Sequence, residues 1–124
     1  MDIAHPVRYI NVGPFDVTNP DSTGQKFTLA RFRNAGEIIL RHTVRTTIGA
    51  GTLSFDFLIG SSTVATQGTG TGLTANTWTA LTETEFTVAA GNSLDVLVKG
   101  DGTLDLAGYT VQIEYVPGSP AEVY

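Results

Sequence analysis

Apolar residues recur in this chain with a period of two, and that alternation is the strongest constraint on its fold. Leu94, Val96 and Val98 alternate with Asp95 and Lys99, and Tyr109, Val111, Ile113 and Tyr115 alternate with Thr110, Gln112 and Glu114. A β-strand sends successive side chains to opposite faces, so such a pattern means one buried face and one wet face. Residues 85–117 hold three strand-like runs of this kind, separated by Gly-rich turns, and no segment shows the 3.6-residue period of an amphipathic helix.

The rest of the chain fits the same grammar. Residues 1–6 read as an extended arm ended by Pro6, and a strand is predicted over 7–12. Gly13-Pro14 is expected to break it, leaving 15–17 as a short second piece, and residues 19–24 (NPDSTG) are dense in turn formers. A strand over 25–33 has an ambiguous inward face and is expected to bulge near Ala30. The longest strand covers 37–48, with Ile38, Leu40, His42, Val44, Thr46 and Ile48 on the core face and Glu37, Ile39, Arg41, Thr43 and Arg45 on the other. Residues 52–59 put Leu53, Phe55, Phe57 and Ile59 inward, and the two segments read as a hairpin about Gly49-Ala50-Gly51. A short strand is centred on Val64, and residues 67–77 (QGTGTGLTANT) read as a loop in which only Leu73 has something to pack. A strand resumes over 78–82 with a phase change between Ala80 and Leu81, and residues 117–124 form a second extended arm. Eight or more short strands in a single 124-residue domain predict an all-β, antiparallel two-sheet sandwich, jelly-roll-like, with an immunoglobulin-like topology as the alternative.

Composition narrows the chemistry. There are no cysteines, which removes disulfides, thiolate catalysis and Cys-ligated zinc. The N-terminal MDIAHPVRY has neither the basic nor the apolar region of a secretory signal, and no apolar run approaches the ~20 residues that span a bilayer. The expectation is a soluble protein made in cytoplasm, without a membrane partner. The net charge of −5 is unevenly placed: residues 1–50 hold six cations against four acids, and residues 51–124 hold Lys99 against eight acids. Such asymmetry suits self-association or docking, although solvated faces also explain it. The arginines Arg31, Arg33, Arg41 and Arg45 are the candidate interface, yet an overall pI near 4.7 argues against nucleic acid.

No catalytic constellation can be assembled. His5 lies in the arm beside Pro6, and His42 falls on an apolar strand face, where a hydrogen-bonded structural role is expected. The carboxylate pairs Glu83/Glu85 and Asp101/Asp105 read as exposed charges. The Lys99–Thr103 segment lacks calcium-loop spacing and is better explained as an Asp-Gly hairpin turn. The Gly68–Gly72 run lacks the Gly-Lys-Ser/Thr of a phosphate loop. No enzyme activity, cofactor or metal is therefore expected. Trp78, the only tryptophan, follows a Gly-rich loop; a core or interface anchor is the first reading, and a sugar-stacking platform is the alternative.

Two segments, GPFDVTNPDSTGQKFTL and FTVAAGNSLDVLVKGDGTLDLAGYTVQIEYVPG, resemble small β-sandwich structural proteins of tailed bacteriophages, nearest to capsid decoration (cement) proteins and related head proteins. The resemblance implies a virion protein on the capsid surface, binding major capsid protein as a homo-oligomer, with a trimer favoured. It brings no catalytic residues. The arms, including Tyr124 in the second, are expected to hook neighbouring subunits. A carbohydrate-binding module, with Trp78 stacking on a glycan, is the second functional expectation.

Overall fold

The structure is a computed structural model and describes residues 7–18, 20–47, 52–68, 73–102 and 105–118. Among these the backbone forms β1 (Arg8–Val17), β2 (Gln25–Arg31), β3 (Gly36–Thr46), β4 (Leu53–Ile59), β5 (Ser62–Gly68), β6 (Thr79–Ala80), β7 (Thr84–Val88), β8 (Ser93–Gly100) and β9 (Leu106–Pro117). One sheet, here sheet A, has the order β1-β9-β3, with β6 and β7 sharing the far edge of β3; sheet B has the order β2-β8-β4-β5. All pairings are antiparallel. The chain passes from one sheet to the other at almost every connection, and this interleaved order is that of a jelly roll. The sandwich read from the alternation is thus present, with jelly-roll rather than immunoglobulin-like topology.

The inner faces match the apolar positions of the sequence. Ile38, Leu40, Val44, Tyr109, Val111, Ile113 and Tyr115 of sheet A meet Leu53, Phe55, Phe57, Leu94, Val96 and Val98 of sheet B, all buried. Aromatic contacts cross the gap: Phe55 stacks on Tyr109 at 4.8 Å between centroids, and Phe15 of β1 meets Phe27 of β2 at 4.7 Å. The bulge expected near Ala30 is a register shift between Thr28 and Ala30. The phase change after Ala80 is the break between β6 and β7, spanned by a hydrogen bond from the Leu81 amide to the His42 carbonyl. Gly60 and Ser61 both have left-handed backbones (φ 58 and 72), giving the two-residue hairpin that joins β4 to β5.

Several neighbours differ from the sequence reading. Segments 37–48 and 52–59 do not pair: β3 bonds β9, β7 and β6, whereas β4 bonds β8 and β5. Alternation reports which face of a strand is buried, and two strands facing each other across a core show the same alternation as two lying side by side. The same applies to the turn at Asp101-Gly102, which carries the chain from sheet B to sheet A and is tied by the Gly102 amide to the Pro20 carbonyl (3.0 Å). Gly13-Pro14 does not end β1; the strand absorbs it as a register shift between Val12 and Phe15. Residues 67–68, read as loop, extend β5. Most of the two terminal arms lies outside the described residues; Pro117, taken as the start of the second arm, ends β9.

Gly36 shows how closely the strands approach. It is buried where β3 lies between Val88 of β7 and Pro117 of β9, and an added Cβ would meet the Val116 carbonyl oxygen and come within 2.7 Å of Tyr115 Cε1. Gly36→Ala is expected to destabilise the fold by about 1–3 kcal/mol through overpacking. Gly68→Ala, where the nearest atom would lie at 3.8 Å, should be neutral or slightly stabilising. Urea-unfolding midpoints of the two variants check the contrast.

Candidate functional site

A polar chain runs through the interior. His42 is 1% exposed, and its Nδ1 lies 2.8 Å from the Tyr109 hydroxyl while its Nε2 lies 2.7 Å from Oε1 of Gln67. Gln67 Nε2 in turn donates to the Thr82 carbonyl (2.8 Å) and to the Thr84 hydroxyl. The Gln67 amide nitrogen is committed to donating, so its oxygen accepts from His42 Nε2–H, and in the neutral ring Nδ1 then accepts from the Tyr109 hydroxyl. The neutral imidazole is the form that burial favours. Burial lowers its pKa, with the Gln67 bond opposing, and burial raises the Tyr109 phenol far above its ordinary range. Phe55, Phe57 and Tyr109 meet the imidazole edge to face. His42 is thus buried and hydrogen-bonded at both ring nitrogens, as its position on an apolar strand face suggested.

The outer face of sheet A is a row of paired polar groups. Tyr9 donates to Glu114 at 2.9 Å, Gln112 reaches Asn11, Arg41 forms a 2.9 Å ion pair with Glu83, and the Thr43 and Thr110 hydroxyls bond each other. Three of these pairs bridge neighbouring strands, because alternation that sends apolar residues inward sends these outward in register, whereas Glu83 reaches Arg41 from the connection between β6 and β7. Arg45 donates to the Ala107 carbonyl (3.1 Å) and lies 5.3 Å from the centre of the Trp78 ring. The Trp78 ring also covers Gly108, which faces Arg45 in the β3–β9 register and whose lack of a Cβ makes room for the indole. Trp78 is 45% exposed. Between these pairs runs an open groove of about 590 Å³ lined by Asn11, Arg41, Thr43, Glu83, Thr110 and Gln112 among others.

The arginines named from the sequence thus fall into two groups. Arg41 and Arg45 are engaged on sheet A. Arg31 and Arg33 are exposed at one end of the sandwich, where β2 turns toward β3, and Arg8 of β1 joins them along a groove of about 670 Å³. Tyr115 and Phe32 form part of its wall, their rings 5.0 Å apart, with Tyr115 donating to the Asn34 carbonyl. Among the described residues none of the three has a carboxylate partner. Tyr124 lies outside the described residues. Sequence reasoning missed Arg8 because it depends on β1 and β2 being adjacent edges of opposite sheets. It also missed Gln67; the period-two register with Ala65 inward is the signal that could have placed it.

The acids of residues 51–124 are likewise not gathered on one surface. Glu85 and Glu114 lie on the outer face of sheet A, Asp95 on sheet B, and Asp101 and Asp105 flank the turn between them. The basic β3 runs between the acidic β7 and β9. Charge halves along the chain become mixed charges in space. Among the described residues no group of three His, Cys, Asp or Glu side chains could hold a metal.

No protein-family model and no curated protein matches the chain by sequence. Solved structures match it in fold. The T13 particle of infectious bursal disease virus superposes with a TM-score of 0.54 at 14% identity, over 91% of this chain and 31% of the viral chain, so this chain spans about a third of that protein. An endospore appendage of Bacillus, from a family of disulfide-linked pili, gives 0.52 at 15% identity over 95% of both chains. Eiger TNF from S. frugiperda gives 0.52 at 8% identity over 92% of this chain and 95% of the other. What these proteins share with this chain is the β-sandwich.

The interior chain carries a pH dependence with a definite sign. His42 has a folded pKa below its unfolded value of about 6.5, so the unfolded state binds the proton more tightly. Stability from the neutral histidine is complete above that value and is lost as pH falls through the folded pKa. Denaturant midpoints at pH 7.5, 6.5 and 5.5, roughly bracketing the unfolded value, should fall toward acid. His42→Phe should lower stability by about 2–4 kcal/mol, because Tyr109 and Gln67 lose their partner, and should flatten this slope.

Proposed function

We propose that this chain is a non-catalytic structural protein of a bacteriophage virion, decorating and stabilising the capsid at junctions between major capsid subunits, and that it acts as a homotrimer on the shell surface. The observation that carries the reading is the Arg8–Arg31–Arg33 end: exposed guanidinium groups without carboxylate partners among the described residues, in a protein of net charge −5. Planar guanidinium forks that are not used within the fold suit carboxylates on another protein surface. The fold supports it too, since a jelly roll is the architecture this chain shares with a viral particle. The pre-paired side chains of sheet A give a firm surface on which little side-chain entropy remains to be lost on docking.

The test is co-sedimentation with mature capsids of the phage that encodes the chain. Binding is expected at low ionic strength and should weaken several-fold between roughly 0.05 and 0.5 M NaCl, as the Debye length shrinks to a few ångströms. Salt-independent binding would remove a charged contact with the shell, and no binding at either salt would remove the function.

One observation favours a second reading. The Trp78 ring rests on Arg45 and Gly108 with much of its surface open, next to a groove lined by amide and hydroxyl groups, an arrangement that suits a sugar ring. A glycan-binding module would show a shift in Trp78 fluorescence on titration with some member of a glycan panel, abolished by Thr43→Ala/Gln112→Ala. A panel that leaves the emission unchanged rejects this reading.

A further inference from the structure

We propose that copies of this chain associate head to tail, the Arg8–Arg31–Arg33 groove of one copy taking the Glu37–Glu85 surface of the next. The inference rests on the reading of this chain as an assembling structural protein and names the partner of its arginine end.

The acceptor surface lies on the outer face of sheet A. Glu85 of β7 and Glu114 of β9 both stand opposite Ile39 of β3, and Glu37 lies one row along, so carboxylates surround a hollow of about 250 Å³. Val116, 38% exposed, adds apolar surface at its rim. Tyr9 occupies Glu114. Glu37 and Glu85 are exposed, and among the described residues neither has a cationic partner. The same chain therefore carries exposed cations on one patch and exposed anions on another, with Arg8, Arg31, Arg33, Glu37 and Glu85 unneutralised among the described residues.

Among the described residues no ion pair joins the two patches within one copy. Arg8 is on β1 and Glu85 on β7, the two opposite edges of sheet A. Three inter-strand spacings separate those edges, roughly 14 Å. The arginine groove opens at the β1–β2 side of the sandwich, whereas the glutamates face outward from β3 and β7. Two different patches that complement each other make a heterologous contact, which propagates around a ring or along a filament, unlike a two-fold contact in which one patch meets itself. Arginine forks on carboxylates beside Ile39 and Val116 would exclude water from part of the contact, which strengthens it beyond the value of an exposed ion pair.

The experiment is size-exclusion chromatography with light scattering on the full chain at low and high salt, with charge-swap variants. The wild type is expected to form oligomers at low salt that dissociate at high salt. Arg31→Glu/Arg33→Glu and Glu37→Arg/Glu85→Arg should each be monomeric, with circular dichroism unchanged because all four side chains are exposed. The variant carrying all four changes should associate again at low salt, since the two swapped patches complement each other. A monomeric wild type at low salt overturns the proposal, as does an oligomer indifferent to either swap, or a four-fold variant that stays monomeric. A monomeric wild type that still co-sediments with capsids overturns this contact alone, whereas an oligomer that ignores capsids overturns the capsid role alone.

Discussion

The hydrogen bonds that run from Tyr109 through His42 to Gln67 cross the gap between the sheets, and the arrangement of both sheets depends on their being made. Tyr109 and His42 belong to neighbouring strands of sheet A, whereas Gln67 comes from β5, the edge of sheet B. Gln67 then reaches the connection between β6 and β7 and the first residue of β7, the opposite edge of sheet A. Buried polar groups are costly when unpaired, so any sliding of β5 along the sandwich would strand several at once. Apolar contacts alone set the distance between the sheets. This chain of donors and acceptors sets their register. On the other side, Phe15 and Phe27 close the β1–β2 opening by ring contact alone.

Fixing the register of the sheets also fixes the outside. Once Tyr109, Val111 and Ile113 point inward, Thr110, Gln112 and Glu114 must point outward, directly opposite Thr43, Arg41 and Ile39. The polar row on sheet A is thus the reverse side of the core, and its pairs form because β1, β9 and β3 share one register. The arginine end has a different origin. It arises where β1 and β2, edge strands of opposite sheets, come together, so its three members are distant in sequence and meet only through the jelly-roll crossing.

That difference explains what could be read in the sequence. The face of nearly every strand was legible: Ile38 to Val44, Leu53 to Phe57 and Tyr109 to Tyr115 are buried at the alternating positions their pattern implies. So were the irregularities at Ala30 and Ala80, where the pattern changes phase. His42 could be placed in the core because it interrupts an apolar series. Strand neighbours were not legible, since Leu53 to Phe57 show the same alternation whether β4 lies beside β3 or across from it. Nor was Gln67, whose surrounding glycines and threonines resemble a loop. A polar side chain earns its place in a core through partners elsewhere in the chain, and period does not report partners. The grouping of Arg8 with Arg31 and Arg33 was hidden for the same reason, and the expected acidic half dissolved once β3 was found between β7 and β9.

The strand edges bear on how such a molecule can associate. An uninterrupted edge invites pairing with another chain through backbone hydrogen bonds. Here the edge of β1 is broken by the register shift at Gly13-Pro14, where proline also lacks an amide to donate, and the far edge of sheet A is broken between β6 and β7. Edge-to-edge addition along sheet A is therefore interrupted on both sides. The proposed contact therefore runs through side-chain surfaces, where Arg8, Arg31, Arg33, Glu37 and Glu85 have no partner of opposite charge among the described residues. Contacts of that kind are directional, because guanidinium and carboxylate must meet in a plane, and they weaken with salt. Interrupted edges on sheet A and complementary exposed charges are together what the proposed head-to-tail contact requires, since they leave orientation to the charged groups.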